Sequence, residues 1–236
     1  MKNYKLFLES QSQSELDQFF SDCDLFINDL KKCEKNTLLY RGIYSDSDRD
    51  IQYYDHIMYR VPTDTPRKVH DVLNDLFEDR FGWKVRNGVF CFKHTDDMFE
   101  DKYEYGDTTY YLFPVGKYKL CYNKKVEDLF PEIEHIIIKH ASIEDYKKEY
   151  GPDKKGRWIG TFWEPDINYF RYTRIKFSEM VEENPKILQS LVDGYEEKSK
   201  IYEVNIPKNT EISVKCDGYY LISLDLRKKL IDYIWG

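Results

Sequence analysis

Leu38-Leu39-Tyr40-Arg41-Gly42-Ile43 is the stretch on which the reading of this chain turns. It is too short for a buried helix. Asn36-Thr37 releases the chain ahead of it, and the polar segment from Ser45 to Asp50 follows it, so the run reads as a buried strand. Arg41 is out of place in such a strand, because a guanidinium taken out of water needs a partner. Two further segments share the pattern. Gly88-Val89-Phe90-Cys91-Phe92 is a short apolar strand, and Glu211-Ile212-Ser213-Val214-Lys215-Cys216 is a strand that opens on a carboxylate after the turn Pro207-Lys208-Asn209.

Outward from these strands, Leu16, Phe19, Phe20, Cys23, Phe26, Ile27 and Leu30 recur at helical spacing. They predict an amphipathic helix over about 12–35 with Ser14 as its N-cap. Thr65-Pro66 reads as a cap followed by proline in the first helical position. Val69, Val72, Leu73, Leu76 and Phe77 then form one face, and Gly82 ends the helix. Residues 53–59 show no clean period and stay unassigned. Residues 96–103 read as an acidic helix, and Tyr110–Phe113 with Lys117–Tyr122 as a hairpin about Pro114-Val115-Gly116. Helices are expected over 131–150 and over 179–191, the latter split by Pro185. Residues 202–206 read as a strand, Asp217-Gly218 as a two-residue hairpin turn into 219–223, and 224–234 as a closing helix. Strands and helices do not alternate regularly, so the fold class is α+β, a mostly antiparallel sheet with flanking helices. No composition break appears, and residues 1–236 read as a single domain in which the N-terminal helix precedes the core.

Of the 236 residues, 33% are charged, 41% hydrophobic and 17% aromatic, and that aromatic content excludes disorder as the main state. The net charge of −7 offers no basic reservoir for nucleic acid and is too dilute for mimicry of it. Lys147-Lys148, Lys154-Lys155 and Arg157 form a small basic patch that reads as solvated loop. The apolar run Ile136-Ile137-Ile138 is far short of the roughly 18 residues of a membrane span, so no membrane partner is expected. Leu6-Phe7-Leu8 is too short for a signal peptide, and a cytoplasmic location is expected. Five scattered cysteines without a C-x-x-C pair read as reduced thiols. His135 and His140 lie five apart, where a helix would want four, so no metal is expected. Cys91 and His94 sit three apart on a strand and face opposite ways, which makes Cys91 a core residue rather than a nucleophile. His70 falls at the edge of its helix's apolar face.

The order of Arg41, the Gly88–Cys91 strand and Glu211 resembles the ADP-ribosyltransferase family of the arginine-serine-glutamate type. There an Arg follows an aromatic residue at the end of the first core strand, a second strand has the form G-x-F/Y-x-[ST], and a late strand carries the catalytic Glu. The resemblance implies a split antiparallel sheet, NAD as substrate, and a mono-ADP-ribosyltransferase or a related enzyme that cleaves the NAD glycosidic bond. It implies Glu211 and Arg41 as catalytic residues. Tyr40, Gly42, Phe90, Cys91 and Tyr105 would join Arg41 around NAD, and Asn209, Trp158, Phe162 and Trp163 would serve acceptor or partner recognition. Cys91 stands where the family's strand carries Ser or Thr. Asn209 stands where transferases that modify arginine carry Glu or Gln, which argues against a protein-arginine acceptor.

The chain is also similar to uncharacterised proteins of tailed bacteriophages. The likeness runs through Pro62-Thr63-Asp64-Thr65-Pro66, His70, Arg80-Phe81-Gly82-Trp83, Tyr105-Gly106, Phe113-Pro114-Val115-Gly116 and Tyr219-Tyr220. That likeness implies a phage protein acting in the host cytoplasm, with a host or phage protein or nucleic acid as acceptor.

The residue types suit that chemistry. Cleavage of the nicotinamide–ribose bond passes through an oxocarbenium-like state that a carboxylate stabilises. A planar guanidinium donates two parallel hydrogen bonds to phosphate oxygens. The expected arrangement sets Arg41 and Glu211 on neighbouring strands facing one pocket, with Phe90 or Cys91 on its wall. The aromatic loop 151–165 should border that pocket. Two other readings stay open. In one, Arg41 and Glu211 form a structural salt bridge. In the other, the fold is kept without catalysis, as a binding protein that inhibits a host factor.

Overall fold

The computed structural model describes residues 13–35, 37–44, 49–56, 59–62, 65–94, 108–127, 129–140, 167–205, 207 and 210–236. Eight strands form one antiparallel sheet: β1 (Leu38–Ile43), β2 (Ile51–Asp55), β3 (Val89–His94), β4 (Thr108–Val115), β5 (Lys119–Tyr122), β6 (Glu196–Lys198), β7 (Glu211–Lys215) and β8 (Gly218–Ser223). Their order is β2-β8-β4-β1-β3-β7-β5-β6. The α+β class with flanking helices follows directly. The acidic helix expected over 96–103 and the aromatic loop 151–165 lie outside the described residues.

Contacts gather in two compact units, residues 1–59, 87–127 and 195–236 in one, and 60–86 and 128–194 in the other. Each unit is assembled from separate stretches, so no single linker marks a boundary in the sequence.

The sheet belongs entirely to the first unit, and its connections differ from the two expected hairpins. Although β4 and β5 are close in sequence, they do not pair. β4 lies between β8 and β1, while β5 lies between β7 and β6. The same holds for β7 and β8. Both links turn the same corner side by side. Val115 pairs with Gly218 on one side of it and Lys119 with Lys215 on the other, and the Asp217 N–H donates to the Val115 carbonyl at 3.4 Å. β4 and β5 therefore act as one long bent strand, as do β7 and β8, in the way strands turn corners between sheet halves. Gly116 supplies the bend with φ of 68°. A Cβ there would stand 2.6 Å from Asp217 Oδ2, so a side chain has neither the conformation nor the room.

The N-terminal periodicity yields two helices rather than one. Residues 13–22 form α1 and Asp24–Leu30 form α2, with Cys23 off helical geometry between them. Ser14 sits inside α1 instead of capping it. The predicted apolar face is nonetheless the buried one, from Leu16 and Phe19 through Cys23 to Phe26, Ile27 and Leu30. Its rings set the packing on the sheet: Phe19 and Phe26 meet Phe113 edge-on at 5.0 and 5.7 Å, and Phe26 meets Tyr118 at 5.2 Å.

Among the described residues the second unit is helical. It contains α3 (Arg67–Phe81), α4 (Leu129–His140), α5 (Ile167–Glu183) and the short α6 (Gln189–Asp193), with a 3-10 turn over Pro185–Leu188 that breaks the chain between α5 and α6. Pro66 is itself the N-cap of α3, and the Thr65 hydroxyl instead accepts from Arg86 Nη2 at 3.3 Å. Gly82 ends α3 in the left-handed region, as its position predicts. The buried face of α3 is turned from the expected one. His70 and Asn74 are buried beside Val69, Leu73 and Phe77, while Val72 and Leu76 are only half-buried. Asn74 explains the turn, since its Oδ1 accepts the Arg86 backbone N–H at 2.9 Å and its Nδ2 lies 3.0 Å from His70 Nε2.

Near the C-terminus, residues 201–203 form a 3-10 turn where a strand is predicted. Ser223 caps the next turn by accepting from the Asp225 N–H at 3.2 Å, and α7 (Arg227–Trp235) closes the chain.

Candidate functional site

β1 does not follow β3 along its whole length. The two pair only from Leu38–His94 to Tyr40–Phe92, after which β1 continues against β4 and β3 continues against β7. The sheet forks at Tyr40 and Phe92, and Arg41 is the first residue of β1 past the fork. Its Nη1 donates to the Phe90 carbonyl at 2.6 Å, two residues beyond the last β1–β3 pair. A strand carbonyl lies close to the plane of its sheet. The guanidinium tip is therefore held in the mouth of the fork.

Arg41 is half-buried, and its Nε is buried with no hydrogen-bond partner among the described residues. No ion pair joins it to Glu211. Neutral side chains are among the neighbours of Arg41. Tyr110 is its cross-strand partner on β4, and the fully buried Cys91 and nearly buried Tyr219 both feel its charge. Burial pushes the Cys91 thiol far up, with Arg41 pulling the other way and Glu211 adding to the rise. The thiol is neutral at any physiological pH and inert as a nucleophile.

Glu211 opens β7 on the far side of β3. It stands opposite Phe92, which stands opposite Tyr40, so the three form one row across the sheet. Its backbone N–H donates to the Glu127 carbonyl at 2.8 Å, which fixes the start of the strand. Arg41 and Glu211 are thus not on neighbouring strands but flank one strand, at about 10 Å between strand axes. Alternation also launches them from opposite faces: Glu211 shares its row with Tyr40, whereas Arg41 follows Tyr40 by one residue. Both charges nonetheless act on the same thiol, that of Cys91 on the strand between them.

Among the other sequence candidates, Tyr40 is nearly buried, its ring 4.9 Å from Tyr111 and its phenol pushed up to about 12 by burial. Gly42 continues β1 opposite Thr109, and Phe90 is half-buried on β3 opposite Ser213. Tyr105, Asn209, Trp158, Phe162 and Trp163 lie outside the described residues. Of two cavities in this unit, one beside Lys117 and Lys215 and one beside Arg49 and Lys229, neither is lined by Arg41, Phe90 or Glu211. Sequence reasoning did not single out Tyr110 and Ser213. Tyr110 follows from pairing β1 with β4, and Ser213 is buried two residues after Glu211 on the same face. Either could have been found by alternation, given the strand order.

Among the described residues no group of three or more His, Cys, Asp or Glu side chains is placed to hold a metal, and no helix is long and apolar enough to cross a membrane. Comparison with protein-family models, curated proteins and solved structures finds no match to this chain.

Proposed function

We propose that the fork between β1 and β3 is the nucleotide end of an NAD-cleaving site, and that the protein is a mono-ADP-ribosyltransferase or a related NAD glycosidic-bond cleaving enzyme of phage origin. One observation carries the reading. A half-buried guanidinium whose Nε has no partner and which forms no ion pair among the described residues is a costly arrangement, and an anion entering the fork offsets that cost. Arg41 would hold the pyrophosphate, its Nη1 remaining on the Phe90 carbonyl. Glu211 would stabilise positive charge on the ribose as the bond from C1′ to the nicotinamide nitrogen breaks. Nicotinamide leaves with the bonding pair, the acceptor's nucleophile bonds to C1′, and the acceptor's proton passes to solvent or a base. The acceptor would be a host or phage macromolecule.

A second reading rests on Cys91. With a buried neutral thiol where the family offers a hydroxyl, the carboxylate has no hydroxyl from that position to orient it, which suits a protein that keeps the fold and binds a host factor without catalysis.

Incubation with NAD, followed by nicotinamide release and by calorimetric NAD binding, separates the two. Release that is lost in Glu211→Gln, with NAD still bound, supports the enzyme. Absence of both binding and release in the wild-type protein removes it in favour of the second reading.

A further inference from the structure

Away from the fork, at the corner where β4 bends into β5 and β7 into β8, a cavity of about 560 Å³ opens in the first unit. Four lysines line it, Lys117, Lys119, Lys200 and Lys215, against a single carboxylate, Asp217. In a chain of net charge −7 this is a local reversal of sign. The rest of the lining is the exposed Ser199 and an apolar wall formed by the half-exposed Leu25, the ring of buried Tyr118 and buried Cys216.

The lysines are arranged, not scattered. Lys119 and Lys215 are direct cross-strand partners on β5 and β7, a placement in which like charges destabilise a sheet. Lys119 is held by Glu197 at 2.8 Å, and Lys200 by Asp29 at 3.1 Å, and neither carboxylate belongs to the lining. Those two ammonium groups are thereby fixed at the cavity's border. Lys117 is exposed and has no partner among the described residues. Asp29 is itself buried and locked by Tyr118 Oη at 2.8 Å and Lys32 at 2.9 Å, and Tyr118 Oη also accepts the Ile201 N–H at 3.1 Å. The wall that carries Tyr118 is consequently rigid before any ligand arrives.

We infer that this cavity binds a small anion on an apolar body, such as an aryl phosphate or aryl carboxylate. The acid group would sit among Lys117, Lys119 and Lys215, and the body would lie on Tyr118 and Leu25. Lysines act on an acid as point charges without a fixed fork, so charge sets the headgroup and the apolar wall selects the body. This site is argued independently of the NAD reading, because neither Arg41, Phe90 nor Glu211 lines it.

Calorimetric titration of the full chain with phenyl phosphate, benzoate, inorganic phosphate and neutral benzyl alcohol tests it. Phenyl phosphate or benzoate should bind more tightly than inorganic phosphate and benzyl alcohol. The double variant Lys117→Gln/Lys215→Gln should bind about tenfold more weakly or worse. Leu25→Glu, which sets a carboxylate at the mouth on an exposed position, provides a second route to the same loss should the double variant fold poorly. Arg41→Met should bind as the wild type does. Equal binding of the neutral alcohol, unchanged binding in both cavity variants, loss of binding in Arg41→Met, or no binding of either aryl acid overturns the inference.

Discussion

Arg41 Nη1 and the Phe90 carbonyl meet at 2.6 Å across a gap where two strands have just parted, so a side chain spans what backbone pairing no longer joins. The contact uses one edge of a guanidinium whose Nε finds no partner among the described residues, and none of them forms an ion pair with it. If the proposed function holds, structure and binding make opposite demands on this residue.

Arg41→Met tests that opposition. Replacing this half-buried charge by an apolar side chain of similar length is expected to leave the melting temperature unchanged or higher, while the NAD binding proposed above is lost. A large fall in melting temperature would instead make Arg41 a structural pin. Arg41→Lys should also weaken NAD binding, since an ammonium cannot reproduce a two-pronged contact.

Two left-handed glycines among the described residues, Gly82 and Gly116, make a paired test of the corner. Gly82→Ala faces open space and should lose about 1 kcal/mol from backbone strain alone. Gly116→Ala meets the same strain and must also displace the Asp217 carboxylate, so its loss should be larger, about 2 kcal/mol or more. Chemical denaturation of both variants decides it, and equal losses would remove Asp217 from the account.

Acid stability should report on Asp29. Burial works to raise its carboxyl, yet the hydrogen bonds from Lys32, Tyr118 and Lys200 outweigh burial and hold it below the usual carboxylate value. A depressed folded value means the stabilisation is complete above the unfolded value of about 4 and drains away as pH falls through the lower folded one. Asp29→Asn should thus destabilise by about 2 kcal/mol at neutral pH, and less as the medium becomes acidic. Denaturation midpoints at pH 7 and pH 3 measure the difference, and a constant gap would refute it.

Thiol counting gives a fourth check. Cys23, Cys91, Cys121 and Cys216 are buried and only Cys33 is half-buried; desolvation also raises the thiols of Cys23, Cys33, Cys91 and Cys216. At pH 8 a small aromatic disulfide reagent should modify no thiol other than Cys33 in the folded chain, and all five cysteines after denaturation. Rapid modification of Cys91 in the folded state would reopen a nucleophilic role for it.

How far the sequence carried the fold depends on whether a signal was local. β1 was legible to its ends, because a six-residue apolar run between a release and a polar loop has few alternatives. The apolar face of α1 and α2 was equally clear, although the break at Cys23 was not, since both halves keep the same period. The hairpins failed for a different reason. Pro114-Val115-Gly116 and Asp217-Gly218 do carry turn chemistry, but here the turns bend long strands that pair with each other, and that choice depends on a partner about 100 residues away. β2 was missed because it is an edge strand with a mixed pattern, where burial does not enforce alternation. Of the candidate site, Arg41 stood out as a charge in a buried strand. The fork that gives the charge its setting is a property of three ladders, and no single segment encodes it.

The strand order also bears on how the chain is made. β3 and β4 each take a long-range neighbour from Glu211–Ser223, so during translation their open edges must wait while more than half of the second unit's sequence and all of α5 emerge from the ribosome. A nascent or cleaved fragment that stops short of β7 would expose aromatic edge strands competent to pair with another copy. The fork and the lysine cavity both draw on β7, so neither proposed binding surface exists until that wait is over.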